Sequence, residues 1–377
     1  MIDNIKRLIL KMIFIIFRIF KINNNKIVVT CYYGKGYGDS SKYICKELLS
    51  RNRNYDIVWL VNDIKEEFPE GIRKVKFKSL KSFYELATAR IWIDNSRKHD
   101  YILKRKGQYY IQTWHSSLRL KKIEGDAIDT LPKDYIRNAK ADSQKMDLLT
   151  VGCGFSDKTY DRAFWYHGEK LKCGTPRCDI FFDEKGKKNI KDALMKFYGI
   201  DENKKIVLYA PTFKKNGVEN KIDYEKIINE LSKYDNYIFF VRLHPISKTK
   251  ICESKSVINV TDYPDIQELI VACDIMITDY SGCCFDAMFA RKACLLYTPD
   301  FDEYIKNERK LAFDFDELPF ERANDIEQLI DAIIGFDYNN YLERINKFMD
   351  RIESYETGNA SKKIADIIDE RMKVFDE

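Results

Sequence analysis

The stretch "YIFFVRLHPIS", residues 237–247, runs an apolar segment directly into an arginine, a histidine and a proline. A short continuous apolar run is typical of a strand buried on both faces of a parallel sheet. Pro245 lacks an N–H for the sheet, so we predict that the strand ends beside it. "QYYIQTWHSSLRLKK", residues 108–122, has the same order of strand and then histidine. Two of the four histidines, His115 and His244, therefore follow predicted strands.

Similar strands alternate with amphipathic stretches in two series along the chain. Predicted strands lie at 26–33, 56–62, 90–94, 108–113 and 148–152, and again at 205–210, 237–243, 257–260, 274–278 and 294–298. Predicted helices lie near 39–51, 80–88, 133–145 and 156–166, and again near 222–234, 264–272 and 281–291. This alternation predicts an α/β fold with two doubly wound, Rossmann-like domains, each built on a parallel sheet.

The length of 377 residues also favours two domains of ordinary size. We predict an amphipathic helix at 1–25, a first Rossmann-like domain at 26–185, a second at 186–325 and C-terminal helices at 326–377. Ligands of open parallel sheets bind outside the carboxyl ends of the strands, where both motif histidines are predicted to lie. We therefore expect the two domains to face a central cleft, with one histidine on each side.

The positive charge of the chain is concentrated at its N-terminus. Of 64 Lys and Arg and 59 Asp and Glu, six basic residues and one acidic residue lie within 1–27, so the remainder is neutral. A nucleic-acid-binding protein usually carries its basic excess across a folded face. We therefore expect no nucleic-acid partner.

The N-terminal segment "NIKRLILKMIFIIFRIFKI", residues 4–22, has a narrow polar stripe on an otherwise apolar helix. The stripe consists of Asn4, Arg7, Lys11, Arg18 and Lys21. This pattern predicts a helix lying in a membrane interface, with its cations near anionic headgroups. Lys11 and Arg18 break the apolar run well short of the about 20 residues that a span needs. No small-residue cleavage site follows, and a docked core helix or a tilted signal anchor are the alternatives.

The ten cysteines are scattered without a C-x-x-C pair, and many lie inside apolar runs. This distribution favours reduced, mostly buried thiols over disulfides. It also argues against a zinc site, and no cluster of acidic residues of the metal-binding kind is present in the sequence. We therefore predict no metal ligands.

Several polar residues at predicted strand ends are candidates for binding and catalysis. His115, ahead of Ser116 and Ser117, could accept a proton from a hydroxyl, or be a hydrogen-bonded histidine at a strand end. Arg242 and His244 lie on the same side of their strand and suit a phosphate, although a surface arginine and a structural histidine are equally compatible.

The stretch "DIMITDYSGCCFDAMFARK", residues 274–292, gives the strongest local signal. Its strand ends at Thr278, and the "DYSG" that follows, including Asp279, Ser281 and Gly282, precedes a helix. Ser281 and the first free amides of that helix could bind an anion, although an ordinary helix cap is the commoner reason for such a serine.

Three further segments contribute weaker candidates. "LYAPTFKK" (208–215) places Thr212 and Lys214 after a strand, where they could border the same pocket. Glu268 in "YPDIQELI" could bind ribose hydroxyls or simply stabilise the start of a helix. "YYGKGYGDS" (32–40), which contains Gly36, lacks the dinucleotide fingerprint and is either a loop approached by an acceptor or a flexible turn.

Together these motifs resemble the CDP-glycerol glycerophosphotransferase family of teichoic-acid and capsule primases and polymerases. The landmarks occur in order from about residue 28 to 320: "TWHSSLRLKKI", "GTPRCD", "LYAPTFK", "RLHP", "YPDIQELI", "ITDYSGCCFD" and "LAFDFDELP". The resemblance implies a GT-B type architecture, peripheral attachment to the cytoplasmic face of the cell membrane, and a CDP-alditol donor. Its two motif histidines match His115 and His244, and the resemblance implies that both are catalytic residues needed for activity.

The resemblance implies transfer of glycerol phosphate or ribitol phosphate from CDP-glycerol or CDP-ribitol to a hydroxyl of a lipid-linked saccharide or growing polymer, releasing CMP. The CDP-alditol is a substrate, and no cofactor is expected. His115 is the expected base, with Ser116, Ser117 and Gly36 on the acceptor side. The expected donor-binding residues are Arg242, His244, Thr212, Lys214, Ser281, Gly282, Asp279 and Glu268. The alternatives are a GT-B glycosyltransferase or epimerase using a nucleotide sugar, and a non-enzymatic membrane scaffold.

Overall fold

The computed structural model describes residues 2–212, 222–244, 247, 249–307 and 310–373, and the chain forms two compact units. Unit 1 comprises Met1–Ser117, Ile123–Asp179 and Tyr355–Glu377, and unit 2 comprises Leu118–Lys122 and Ile180–Ser354.

Unit 1 contains a parallel sheet with the strand order β3-β2-β1-β4-β5-β6-β7. Its strands are β1 (Asn23–Thr30), β2 (Asp56–Val61), β3 (Ile72–Lys76), β4 (Ala89–Asp94), β5 (Tyr109–Gln112), β6 (Leu148–Val151) and β7 (Glu169–Lys172). The described helices of unit 1 are α1 (Ile2–Phe17), α2 (Asp39–Ser50), α3 (Leu80–Thr88), α4 (Lys133–Ser143), α5 (Gly154–Ala163) and, at the end of the chain, α13 (Ala360–Lys373).

Both faces of this sheet are buried, which explains the continuous apolar runs of its inner strands. Along β1, Val28 packs with Phe83 of α3 on one face, whereas Val29 packs with Ile44 of α2 and Ile364 of α13 on the other. Successive side chains of a strand point to opposite faces, so a strand covered on both sides must be apolar throughout.

Unit 2 repeats the same plan with the strand order β10-β9-β8-β11-β12-β13, again all parallel. Its strands are β8 (Lys205–Tyr209), β9 (Tyr237–Val241), β10 (Val257–Asn259), β11 (Ile275–Thr278), β12 (Ala293–Tyr297) and β13 (Glu321–Ala323). The described helices of unit 2 are α6 (Glu184–Tyr198), α7 (Tyr224–Leu231), α8 (Ile266–Ala272), α9 (Cys283–Phe289), α10 (Phe301–Asn307), α11 (Ile326–Ile334) and α12 (Tyr338–Arg351).

The strand order reverses once in each sheet, between β1 and β4 in unit 1 and between β8 and β11 in unit 2. Such a switch point opens a crevice at the carboxyl ends of the strands, where doubly wound folds bind ligands. The predicted α/β fold with parallel sheets is confirmed.

Three strands, β3, β7 and β13, are missing from the set predicted from the sequence. Each lies at the edge of its sheet, and each carries charged residues, as in "IRKVK" and "EKLK". An edge strand is partly exposed to water, so its sequence lacks the continuous apolar run that identifies an inner strand.

The division into units differs from the expected boundaries at two places. Residues 118–122 belong to unit 2, because Lys122 N donates to Lys310 O at 2.9 Å and Ala312 N donates to Leu120 O at 2.6 Å. The segment from 326 onwards is not one group of C-terminal helices. Helices α11 and α12 belong to unit 2, whereas α13 belongs to unit 1 and buries Ile364 and Ile368 against its sheet.

Helix α1 packs against unit 1 through one of its faces. Phe14 is fully buried, with its ring centroid 5.9 Å from that of Phe83. Arg7 Nη1 lies 3.5 Å from Asp100 Oδ2. The opposite face exposes the apolar residues Ile5, Leu8, Ile9, Met12, Ile15 and Ile16. Within the described ranges, no helix is both long and apolar enough to cross a membrane.

The C-terminal return to unit 1 depends on Asp179, whose carboxylate accepts hydrogen bonds from Ala360 N at 3.0 Å and Ser361 N at 2.7 Å. It thus satisfies two free amides at the start of α13. We expect Asp179→Ala to lower the free energy of unfolding by about 1–2 kcal/mol, as measured by urea denaturation. Glu370→Ala, on the exposed side of the same helix, should change it by less than about 0.5 kcal/mol. Equal effects of the two substitutions would contradict the capping role.

Candidate functional site

The loop after β1 turns sharply at the switch point of unit 1. Tyr32, Tyr33 and Gly34 have φ values of 41°, 58° and 88°, which is the left-handed region. The turn directs the backbone N–H of Tyr32 toward β4, where it donates to Asn95 Oδ1 at 2.8 Å. Asn95 therefore connects the carboxyl ends of β1 and β4.

His115 lies beside this connection, where the chain leaves β5. Trp114 takes a left-handed φ of 54°, which ends the strand and turns the histidine toward Asn95. His115 Nδ1 is 3.1 Å from the carbonyl oxygen of Asn95. A hydrogen bond to a carbonyl requires the proton on Nδ1, which leaves the lone pair of Nε2 to accept a proton.

The imidazole of His115 is half-buried, and its surroundings favour the neutral form. Burial lowers the pKa of His115 below its ordinary value of 6.5, although the hydrogen bond to Asn95 and the charge of Asp39 act in the opposite direction. The ring lies 4.2 Å from Trp114 and 5.7 Å from Tyr32, measured between centroids. His115 thus has the charge state and the tautomer of a general base at neutral pH.

A buried ion pair fixes the backbone of His115. Arg177 Nη1 donates to Asp39 Oδ2 at 2.8 Å and to the carbonyl oxygen of His115 at 2.7 Å, and Tyr32 Oη donates to the same carboxylate at 2.8 Å. Burial by itself would raise the pKa of Asp39, but the charge of Arg177 and the amide of Ser40 hold it below its ordinary value.

Asp39, Asn95 and Arg177 are site residues that the sequence analysis does not identify. Asp39 and Arg177 lie within the quoted stretches "YYGKGYGDS" and "GTPRCD", and Asn95 directly follows a predicted strand. The position of Asp39 and Asn95 after predicted strands is the available signal, but nothing in the sequence indicates that these residues and Arg177 contact one another.

The expected acceptor-side residues of unit 1 occupy different environments. Ser116 is half-exposed, and its carbonyl accepts from Tyr160 Oη at 3.2 Å. Ser117 is only 2% exposed, so its hydroxyl faces the interior of unit 1 instead of a surface that an acceptor could reach. Gly36 has a φ of 79°, and a Cβ atom there would lie 2.7 Å from Glu66 Oε2, so the turn requires glycine.

In unit 2, Asp279 connects the two loops at the switch point. Its Oδ1 accepts from Thr212 N at 2.8 Å and from Tyr280 N at 2.6 Å, connecting the ends of β8 and β11. Asp279 is 1% exposed, and burial raises its pKa to about 6, although its hydrogen bonds with Thr212 act in the opposite direction.

Arg242 and His244 follow the neighbouring strand β9. Arg242 Nη1 donates to the carbonyl oxygens of Val260, at 3.4 Å, and Tyr263, so the guanidinium anchors the loop after β10. Burial lowers the pKa of Arg242. His244 is half-buried, and its carbonyl accepts from Ser247 N at 2.8 Å.

The other donor-side candidates have partners within unit 2. Ser281 Oγ accepts from Cys283 N at 3.5 Å and from Cys283 Sγ at 3.1 Å, and Gly282 directly precedes α9 as its N-cap. Glu268 accepts from Tyr263 Oη at 2.6 Å. Lys214 lies outside the described residues. Unit 2 therefore brings Thr212, Arg242, His244, Asp279 and Ser281 to one edge of its sheet.

The chain matches the sequence profile of a family described as CDP-Glycerol:Poly(glycerophosphate) glycerophosphotransferase over residues 11–370. The chain belongs to this family. The resemblance predicted from the motifs is therefore confirmed, and the family is one of transferases.

Curated relatives in the family act in teichoic acid synthesis according to their names. The teichoic acid poly(glycerol phosphate) polymerase of Bacillus spizizenii is 29% identical, with 96% of this chain and 97% of the relative covered. The teichoic acid glycerol-phosphate transferase of Staphylococcus aureus is 29% identical, with 97% and 99% covered. The chain spans only 51% of a 30% identical Staphylococcus epidermidis polymerase, with 92% of this chain covered.

Solved structures agree with this assignment. A histidine-to-asparagine variant of the wall teichoic acid polymerase TagF, soaked with CDPG, has a TM-score of 0.89 and 26% identity, covering 100% of this chain and 98% of that one. A UDP-GlcNAc 2-epimerase from Neisseria meningitidis has a TM-score of 0.51 at 13% identity, over 92% of this chain and 100% of that one, and shows the fold alone. The comparisons favour alditol-phosphate transfer over the nucleotide-sugar alternative.

The raised pKa of Asp279 predicts a pH-dependent stability. Between its ordinary value of 3.8 and about 6, the folded protein holds a proton that the unfolded chain has released, so this group makes stability fall as pH rises. We expect the free energy of unfolding, measured by urea denaturation, to fall less steeply between about pH 4 and pH 6 in Asp279→Asn than in wild type. Asp302→Asn, at an exposed position of α10, should show the same fall as wild type. Parallel plots of unfolding free energy against pH for wild type and Asp279→Asn would contradict the raised pKa.

Proposed function

We propose that this protein transfers glycerol phosphate or ribitol phosphate from a CDP-alditol to a hydroxyl of a lipid-linked saccharide or growing polymer, in teichoic-acid or capsule synthesis. The observation that carries the proposal is the orientation of His115 within a chain of this family. Its Nδ1 faces the Asn95 carbonyl, so a neutral imidazole can present Nε2 to an acceptor hydroxyl.

The carboxyl edge of the unit 2 sheet is the proposed donor site. Arg242, His244, Thr212, Lys214 and Ser281 supply cations, hydroxyls and hydrogen-bond donors, which suit a diphosphate. Asp279, Gly282 and Glu268 complete the expected set. The similar TagF structure, of a histidine variant soaked with CDPG, supports a donor of this class.

We propose that the acceptor base and the donor site serve one reaction, as the GT-B architecture of the family resemblance implies. The support is covalent: Leu118 is three positions after His115, which limits the distance between their Cα atoms to about 11 Å. Leu118 is part of unit 2, and its carbonyl oxygen lies 3.7 Å from the position of a Cβ atom built on Gly282.

In the proposed reaction, His115 Nε2 removes the proton from the acceptor hydroxyl as its oxygen attacks the phosphorus that carries the alditol. A new phosphorus–oxygen bond forms, the bond to the bridging oxygen breaks, and the electron pair leaves on the phosphate of CMP. Transfer of this kind depends mainly on alignment and on stabilising charge. The proposal needs no cofactor, and it assigns no metal ligand to this chain.

The exposed face of α1 is the proposed contact with the membrane surface. Lys6 borders its apolar residues on one side and Lys11 on the other, and both are exposed. Such a helix lies in the headgroup region with its cations near anionic lipids. This contact would hold the enzyme peripherally, on the cytoplasmic face, close to a lipid-linked acceptor.

Replacement of His115 tests the assigned chemistry. We expect His115→Ala to lower CMP release from CDP-glycerol or CDP-ribitol by at least about 100-fold, because general base catalysis contributes a factor of this size. Binding of the CDP-alditol, measured by calorimetry, should change little. His167→Ala, at an exposed histidine, should retain full activity. Near-normal CMP release by His115→Ala would remove the base, and release of UDP from nucleotide sugars would favour the alternative function.

Charge placed on the exposed face of α1 tests membrane attachment. We expect Ile9→Glu with Met12→Glu to lower binding to phosphatidylglycerol-containing vesicles about tenfold or more, because two apolar contacts with the bilayer are lost. Ile64→Glu is a matched control, since Ile64 is 55% exposed and lies outside α1. Equal vesicle binding by the double variant and the control in a flotation assay would contradict the proposed contact.

A further inference from the structure

Glu356 lies in the segment between α12 and α13, where the chain returns to unit 1. Its Oε2 accepts a hydrogen bond from Thr175 N at 3.0 Å. The preceding residue, Tyr355, donates its N–H to Gly152 O at 2.9 Å. The segment is therefore attached to two loops, one after β6 and one after β7.

Two glycines leave space for the Glu356 carboxylate. A Cβ atom on Gly152 would lie 2.9 Å from Glu356 Oε1, and one on Gly174 would lie 2.8 Å from Oε2. Gly174 also has a φ of 91°, which disfavours any other residue. The carboxylate thus occupies positions that side chains on these loops would otherwise fill.

Ser117 joins the same contact from the loop after β5. Its Oγ lies 1.9 Å from the position of a Cβ atom on Gly152, so the hydroxyl and the carboxylate both lie next to this glycine. Ser117 is two residues after His115. Glu356 therefore touches the loops that follow three neighbouring strands of unit 1, and one of these loops carries the proposed base.

The surroundings of Glu356 leave its charge sensitive to pH near neutrality. Burial raises its pKa to about 7, whereas the Ser117 hydroxyl and the Thr175 amide lower it and the charge of Asp179 raises it. Cys173 also faces the carboxylate, and burial is the main cause that raises the pKa of this thiol. The carboxylate form accepts the hydrogen bond from the Thr175 amide, and protonation converts one of its oxygens into a donor.

We propose that Glu356 is a positioning residue of the transferase: its carboxylate accepts from the Thr175 amide and lies beside the buried Ser117 hydroxyl, and thereby holds the loop that carries His115. The inference rests on the proposed function, in which His115 must face the acceptor. Loss of the negative charge loosens this loop, so turnover falls as pH decreases through neutrality. Donor binding is unaffected, since it belongs to unit 2.

Kinetics across about pH 6 to pH 9 test this role with Glu356→Gln, which keeps the size and removes the charge. We expect kcat for CMP release to fall about tenfold at pH 8, because hydrogen bonds to a charged group are lost. The KM for the CDP-alditol should stay constant, and the acidic limb of the wild-type profile should lose one titrating group. Glu343→Gln, at an exposed position of α12, should behave as wild type.

Hydrogen exchange of residues 113–118 gives a second readout that needs no turnover. We expect these amides to exchange faster in Glu356→Gln and in Ser117→Ala than in wild type at pH 8, with unchanged melting temperatures. An unchanged pH profile together with unchanged exchange would overturn the positioning role. If wild type releases no CMP from any CDP-alditol, the proposed function fails, and the exchange result still decides whether Glu356 holds the loop.

Discussion

Parallel strands all finish at the same edge of their sheet, and both units of this protein use that edge in the same way. In unit 1, Tyr32 N donates to Asn95 Oδ1, and in unit 2, Thr212 N donates to Asp279 Oδ1, each at 2.8 Å. In each unit, the N–H after the first strand is received by a side chain after the fourth. This hydrogen bond connects the two loops at the switch point, where a doubly wound fold binds its ligand.

The chemistry of the two units differs because their bridging side chains differ. Asn95 is neutral, and its own carbonyl faces Nδ1 of His115 and so leaves Nε2 as the acceptor. Asp279 is a buried carboxylic acid with a raised pKa, surrounded by the candidate donor-binding residues. In the proposed function, the first switch point provides the base, and the second provides the polar edge that binds the diphosphate. This division of labour matches the alditol-phosphate transfer that family membership supports.

The sequence predicts the inner strands and the positions of His115 and His244, because these depend on local patterns of apolar and polar residues. It does not predict the edge strands β3, β7 and β13, because their charged residues resemble those of loops. Nor does it reveal that Arg177 pairs with Asp39, 138 positions earlier, or that Glu356 reaches Thr175, 181 positions earlier. Such pairs depend on how distant segments pack, and a local pattern carries no information about the partner. The same limit applies to Arg242, whose guanidinium anchors a loop of its own unit.

The central claim is that the base of unit 1 and the donor site of unit 2 serve one reaction. A crystal structure of the protein with bound CDP-glycerol measures this directly. The account predicts that the diphosphate lies at the carboxyl ends of β8, β9 and β11, near Arg242 and His244. His115 Nε2 should then face the phosphorus that carries glycerol, at about 4–7 Å, with room for one hydroxyl between them. A nucleotide bound elsewhere, or a His115 ring directed away from the phosphorus, would contradict the account.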